Sequence, residues 1–333
     1  MTGKLYLCAT PIGNLEDMSY RAVKTLKEAD LIAAEDTRHS IKLLNHFEIK
    51  TPMTSYHEYN KVDKAKILVE KMLQGVNVAL ITDAGTPGIS DPGEELVAQA
   101  AKAGIEISPV PGPAACICAL IMSGLGTRRF CFEAFLPADK KERSVVLDEL
   151  KNETRTIVIH EAPHHLLKTL KELLEILGDR RISICKEITK KYEDVNRTSI
   201  AKAVEYYENN PPRGEYVLVI EGRDRKEIED MKQRQWDDIS VKEHFDMYIE
   251  KGMDRKEAMK AVAKDRGMGK REVYSMGNGD FGFPSAERLA KCSVDDLAPL
   301  GSGFRAKYII DAAQKVAGGA IDLDILATEN MDV

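Results

Sequence analysis

Apolar runs of strand length alternate with stretches of helical period through most of the chain. Leu5 to Thr10, Leu31 to Ala34, the run from Val78, and Ile105 to Val110 read as buried strands. Between them, Tyr20 to Glu28, Val62 to Leu73 and Glu94 to Ala103 carry apolar residues at helical spacing, and an apolar helix runs to Met122. Strands that alternate with helices predict a mostly parallel sheet, because parallel neighbours need a crossover of helix length.

The strand ends are where the pattern stops being purely structural. The first strand breaks into Pro11, Ile12, Gly13 and Asn14. The run from Val78 enters a loop with Asp83, Gly85, Thr86, Pro87, Gly88, Ile89, Asp91 and Pro92, and the strand to Val110 ends in Pro111, Gly112 and Pro113. One such loop fits a tight turn as well as a ligand cradle; three of them at the carboxyl ends of strands favour the cradle. Glu35, Asp36, Thr37 and Arg38 directly follow the second strand, where α/β proteins place their sites, although Asp36 or Thr37 also fits as a helix cap. Ser55, Tyr56, His57, Glu58, Tyr59 and Asn60 stand before the third helix. A GxGxxG after the first strand and a GxxxxGK[ST] are both lacking, which disfavours dinucleotide-binding and P-loop readings.

Arg128-Arg129 reads as a hinge into a second α/β pattern. Its strands are expected near Phe130, at Thr156 to His160, Arg181 to Lys186 and Tyr216 to Ile220; its helices start at Arg143, follow Pro163 and span Ala201 to Glu208. Basic residues gather here: Lys140, Lys141 and Arg143, then Lys186, Lys190 and Lys191, then Arg213. The whole chain has 48 basic and 54 acidic side chains and a formal net charge of -6, which argues against a global nucleic-acid binder and leaves room for a local basic surface. A solvated charged surface is the alternative.

The six cysteines sit mostly in apolar patterns without a CxxC, which reads as reduced core residues, and no metal-ligating spacing occurs. Met1 to Thr10 lacks a signal-peptide layout, and no apolar run approaches the roughly 18 residues of a membrane span. A cytoplasmic protein is expected.

ATPIGNLEDMSYRA, AEDTRHSIKLL, SYHEYN, LITDAGTPGISDPG and PVPGPAA, in this order, resemble the tetrapyrrole methylase superfamily and, within it, the ribosomal RNA small subunit methyltransferase I group. The resemblance continues through Phe132 to Pro137, Glu161 to His164, Lys186 to Lys190 and Arg213-Gly214-Glu215. It implies a two-domain class III methyltransferase fold, S-adenosylmethionine as donor, a homodimer, and a decoding-centre cytidine of 16S rRNA methylated at its ribose 2'-oxygen. On this reading Pro11, Gly13, Asn14, Asp83 to Pro92 and Pro111 to Pro113 hold the donor. Glu35, Asp36, His57 and Lys190 are the polar candidates for catalysis; a histidine such as His57 also fits as a hydrogen-bonding core residue. Thr37, Arg38, Ser55, Asn60, Lys140, Lys141, Arg143, Glu161, His164, Glu187 and Arg213 are the candidate substrate contacts.

The chain departs from that group where Tyr-Glu-Ser-Pro-His-Arg is usual: here stands His160-Glu161-Ala162-Pro163-His164-His165, an imidazole in place of a guanidinium, and Ala114 lacks a hydroxyl in the PGPSA-like turn. Past Gly222, Ser240 to Glu243 forms a capping box ahead of Phe245, Tyr248 and Ile249, Asp254 to Glu257 repeats the cap, and Gly267 to Ser275 offers a short third helix. Phe281 to Ser285 and Leu297 to Tyr308 resemble a segment of the 8-oxoguanine DNA glycosylase family, without that family's helix-hairpin-helix or catalytic lysine and aspartate. The expected domains are thus 1–127, 128–225, 226–277 and a glycosylase-like fragment 278–333. Two rivals stay open: a precorrin-type C-methylase with the same donor, and a non-enzymatic RNA-binding or ribosome-assembly module.

Overall fold

The computed structural model describes residues 2–269, 273, 285–297 and 303–321. Met1–Arg225 form one compact unit and Lys226–Val333 a second, so the first two expected domains share one unit.

The first unit opens with β1 (Lys4–Cys8), α1 (Tyr20–Glu28), β2 (Leu31–Ala34), α2 (Thr37–His46), β3 (Met53–Ser55), α3 (Lys61–Leu73), β4 (Val78–Ile81), α4 (Gly93–Lys102), β5 (Glu106–Val110) and α5 (Ala115–Ser123). The strands pair in the order β3-β2-β4-β1-β5, every pair parallel. Helices cover both faces, so β4 is apolar without alternation: Val78 and Leu80 pack with α3 and α4, and Ala79 and Ile81 with α1 and α2. The sequence reading did not anticipate β3, whose three half-buried residues carry too little pattern.

The second sheet is mixed. β6 (Phe130–Phe135), α6 (Lys140–Leu150), β7 (Thr156–Glu161), α7 (Pro163–Leu177), β8 (Arg181–Lys186), β9 (Asp194–Ser199), α8 (Ile200–Asn209) and β10 (Tyr216–Ile220) follow one another. The order is β6-β7-β10-β8-β9, with β6–β7 parallel and the other pairs antiparallel. β9, a polar edge strand reading DVNRTS, also went unanticipated. α6, α7 and α8 cover one face through Leu147, Leu166, Leu170, Leu173 and Ile200. The other face is covered by α5, which arrives from the first sheet and packs Cys116, Ala119 and Leu120 against Val158, Cys185, Val217 and Val219. Ser183 Oγ donates to the Ser123 carbonyl at 2.8 Å, and Arg197 to the carbonyls of Met122 and Ser123, closing the end of α5.

In the second unit α9 (Arg225–Arg234) leads to α10 (Val241–Glu250) and α11 (Arg255–Asp265). Ser240 and Glu243 complete the capping box, and Asp254 accepts from the amides of Lys256 and Glu257. Phe245 and Tyr248 pack on Val262 and Ala263. Further helices span Ala286–Leu289, Val294–Leu297 and Ala306–Ala317 around Leu289, Leu297 and Ile310. Most of the expected third helix, and residues 278–284, 298–302 and 322–333 of the glycosylase-like fragment, lie outside the described residues. Among the described residues no helix is long and apolar enough to cross a membrane.

Candidate active site

The loop after β4 is tied to the end of every other strand of the first sheet. Gly85 and Thr10 exchange backbone hydrogen bonds of 2.9 and 3.1 Å, joining the loops after β4 and β1. Gly85 has φ +89°, and a Cβ there would come within 3.3 Å of Ile12, so glycine meets both the turn and the close approach. From the end of β2, Glu35 Oε2 accepts from Thr82 Oγ1 at 2.7 Å, and the Asp36 amide donates to Asp83 Oδ1 at 3.1 Å. Past β3, the buried Tyr56 hydroxyl donates to the Pro92 carbonyl at 2.8 Å. Toward β5, Thr86 Oγ1 donates to the Pro113 carbonyl at 2.9 Å, while Gly112 lies against Ala9. Within the loop, Asp91 accepts from the amides of Gly88 and Gly93. Burial raises the Asp91 carboxyl above its ordinary range despite those amides.

Two cavities open over this hub. The Thr86 cavity, about 430 Å³, is walled on one side by Ile12, Ala84, Gly85, Thr86, Ile89 and Ala114 to Cys116. Its other wall comes from the second sheet: Phe135, His160 to Pro163, Ile188 and Glu215 to Val217. The His39 cavity, about 460 Å³, is lined by Pro11, Ile12, Gly13 and Leu15, by His39, Ser40, Lys42, Leu43 and His46 of α2, and by Thr82, Asp83, Ala84, Lys190 and Glu215. The cavities meet at Ile12, Ala84 and Glu215. Both have the size of small-ligand clefts.

Backbone strain collects around them. Among the described residues, the non-glycine positive φ angles are at Glu48, Ser90, Ala134, Glu187 and Thr189. Ser90 is in the β4 loop, Ala134 in the bulge that turns Phe135 toward the Thr86 cavity, and Glu187 and Thr189 flank Ile188. Strain of this kind persists where the surrounding structure holds it and clusters at binding sites.

The expected site residues divide by position. Gly85, Thr86, Ile89 and Glu161 line the Thr86 cavity; Pro11, Gly13, Asp83 and Lys190 line the His39 cavity. Pro87, Asp91, Pro92 and Glu35 close a narrow crevice beneath the loop. Asn14 caps the turn Leu15–Asp17. Asp36 caps α2 and is paired by Arg38 at 3.0 Å; this hydrogen-bonded pairing holds its carboxyl down at about 2, too acidic for a base at neutral pH. Thr37 opens α2 and Arg38 is exposed. Ser55 ends β3, while His57 and Asn60 bond each other, the His57 amide donating to Asn60 Oδ1 at 2.8 Å, away from both cavity linings.

Lys190 enters the site as a cation. Burial opposes its charge, but hydrogen bonds to Glu215 at 2.9 Å and Glu187 at 3.0 Å outweigh burial and raise its pKa, so it is an ammonium and not a neutral base. Arg143 departs from its expected substrate contact: its guanidinium points inward to Glu172 and Thr169, while Lys140 and Lys141 remain exposed at the start of α6. His164 is exposed with its ring beside His165, and Arg213 is exposed.

Sequence reasoning missed His160 and Glu215, although both stand at strand ends beside motif residues. The His160 ring packs edge-on to Phe132 and Phe135; burial lowers its pKa, and Nε2 has no hydrogen-bond partner. It missed His39, Lys42 and His46 as well, whose spacing of three and four marks one face of α2.

Comparison with known proteins gives a consistent picture. The family model described as tetrapyrrole (corrin/porphyrin) methylases matches residues 4–204. The ribosomal RNA small subunit methyltransferase I of Halalkalibacterium halodurans is 49% identical over 275 residues, 82% of this chain and 94% of that protein. The protein of the same name from Bacillus subtilis is 47% identical over 272 residues, 82% of this chain and 93% of its own. Among solved structures, diphthine synthase superposes with a TM-score of 0.52 at 13% identity, over 66% of this chain and 90% of that one. The methyltransferase CobJ gives 0.51 at 18% identity, over 66% and 95%. At these identities the structural likeness concerns the fold.

Proposed function

The chain belongs to the tetrapyrrole methylase family, alongside the ribosomal RNA small subunit methyltransferase I proteins, and from that premise we propose that it transfers a methyl group from S-adenosylmethionine to small-subunit rRNA. The observation that carries this reading is the pair of adjoining cavities at the carboxyl ends of the strands. The Thr86 cavity fits the donor: flat apolar walls from Ala84, Ala114, Ala115 and Ile188 suit an adenosyl group, and Glu161 and Glu215 suit its hydrogen-bond donors and positive charge. The His39 cavity then receives the acceptor, and the two reactants meet past Ile12, Ala84 and Glu215. The acceptor atom is the ribose 2'-oxygen of a decoding-centre cytidine, as the motif resemblance implies.

When bound, the donor supplies an electrophilic methyl carbon on a sulfonium. The protein has to align an oxygen with that carbon and exclude water. Lys190 Nζ, kept protonated between Glu187 and Glu215, presents positive charge to an acceptor oxygen in the His39 cavity. Lys140 and Lys141 supply exposed charge for the RNA backbone. A homodimer in the cytoplasm completes the proposal, supported by Ile117 and Ile121, which stand 42% and 68% exposed four residues apart on α5.

The test is transfer of labelled methyl from S-adenosylmethionine to assembled small ribosomal subunits lacking the modification, with naked rRNA and a precorrin in parallel. Label on a single ribose of the rRNA is expected. Label on the precorrin alone, or none despite donor binding, would refute the acceptor.

A further inference from the structure

Glu161 stands at the end of β7 in the wall of the Thr86 cavity, only 5% exposed. Its carboxylate is held by the chain itself. Oε1 accepts from the Ala162 amide at 2.8 Å, and Oε2 accepts from Thr169 Oγ1 at 2.5 Å. Thr169, in the second turn of α7, is fully buried. Its oxygen in turn receives Arg143 Nη2 at 2.7 Å, and Arg143 Nε donates to Glu172 at 2.7 Å. The Arg143 side chain is 12% exposed.

The direction of this chain of hydrogen bonds is fixed by chemistry. A guanidinium has donors and no acceptor, so Thr169 must take the Arg143 bond on a lone pair. Its single proton is then left for Glu161. A carboxylate offers about four lone-pair positions, and this network occupies two. Two positions lie outside this network.

We propose that Arg143 and Thr169 are positioning residues that aim the Glu161 carboxylate at an N–H or O–H group of the bound methyl donor. Neither residue touches the cavity. The inference rests on the reading of the Thr86 cavity as the donor site. It also explains why an arginine in a basic cluster is turned into the interior: a charge set one hydroxyl away from Glu161 strengthens and orients an acceptor inside a mostly apolar cavity.

A double-mutant cycle read by calorimetry with S-adenosylhomocysteine tests it. Glu161→Gln and Thr169→Val are each expected to weaken binding roughly tenfold, about the worth of one hydrogen bond to a charged group. Thr169→Ser, which keeps the hydroxyl, should bind within about twofold of wild type. In the E161Q/T169V double variant the loss should be no greater than in E161Q, because Thr169 acts through Glu161. A purely structural Thr169 would leave the losses multiplicative. Wild-type affinity in T169V, or multiplicative losses, would overturn the inference while leaving the donor site intact; a folded wild-type protein that binds no S-adenosylhomocysteine would overturn both. Thr169→Ala carries the same comparison if the valine variant does not fold.

Discussion

The stem of Lys190 occupies the space that a side chain at Gly13 would need: a Cβ built on Gly13 falls 2.3 Å from Lys190 Cγ. A glycine loop of the first sheet therefore seats a lysine of the second, beside the two glutamates that hold its ammonium. Gly13→Ala is expected to dislodge Lys190 and lower methyl transfer about tenfold, the cost of one misplaced charge in a site. Comparison of initial rates in G13A, K190A and the double variant checks it. The double variant should be no slower than K190A, because the alanine at 13 then has nothing to displace.

Asp91 decides whether the β4 loop keeps its path. It takes the amides of Gly88 and Gly93, at 2.7 to 3.0 Å, in a loop that also carries buried Gly85 and Pro87. Asp91→Ala should destabilise the protein by about 1–3 kcal/mol through the unpaired amides and weaken donor binding; Asp91→Asn, with one acceptor oxygen left, should lose less of both. Urea midpoints and calorimetry on the two variants separate the outcomes.

Acid stability should depend on Glu153. The Arg155 guanidinium and amide hold its carboxyl at about 2, well below the ordinary carboxylate value of 4.5. Because the folded-state pKa is depressed, its stabilisation is present above about pH 4.5 and is lost as pH falls toward 2. With Arg155 partly exposed to solvent, water screens the pair and its contribution at neutral pH is modest. Glu153→Gln should therefore lower the urea midpoint at pH 7, with the difference from wild type shrinking steadily as pH falls from about 4.5 toward 2.

Basic residues that look alike in sequence should behave differently toward RNA. Lys140→Glu with Lys141→Glu is expected to weaken rRNA binding and reduce the slope of log affinity against log salt by roughly 1–2. Arg143→Met should leave that slope unchanged, since its guanidinium is spent on Thr169 and Glu172. A filter-binding salt titration with an rRNA fragment distinguishes them; equal slopes for both variants would contradict the placement of Arg143.

Strands and loops of the first sheet were legible because burial on two faces leaves continuous apolar runs, and because turn residues at their ends have few other uses. β2 and β8 fall where the pattern put them. β3 and β9 did not, one too short and the other too polar. The site was legible as loops but not as roles. Asp36, Lys190 and Arg143 carry the right chemical groups, yet each is committed to a partner that stands beyond the reach of local spacing or serves a cap. Tyr56 shows the converse: a motif residue without obvious chemistry proves to hold Pro92 from 36 positions away.

The route of α5 sets the smallest piece of this protein that stands alone. By sequence the helix belongs to the first sheet, since it begins at the Pro111–Pro113 turn; by packing it is the floor of the second, with its last carbonyls gripped by Arg197 and Ser183. Cutting at Arg128-Arg129 would strip Val158, Val217 and Val219 of their cover and leave an apolar helix dangling from the other half. The two halves are consequently not interchangeable modules. Recombination between relatives would preserve a working molecule only when the donor-side helix and the sheet beneath it are inherited together, so sequence exchange at the apparent linker breaks a single core in two.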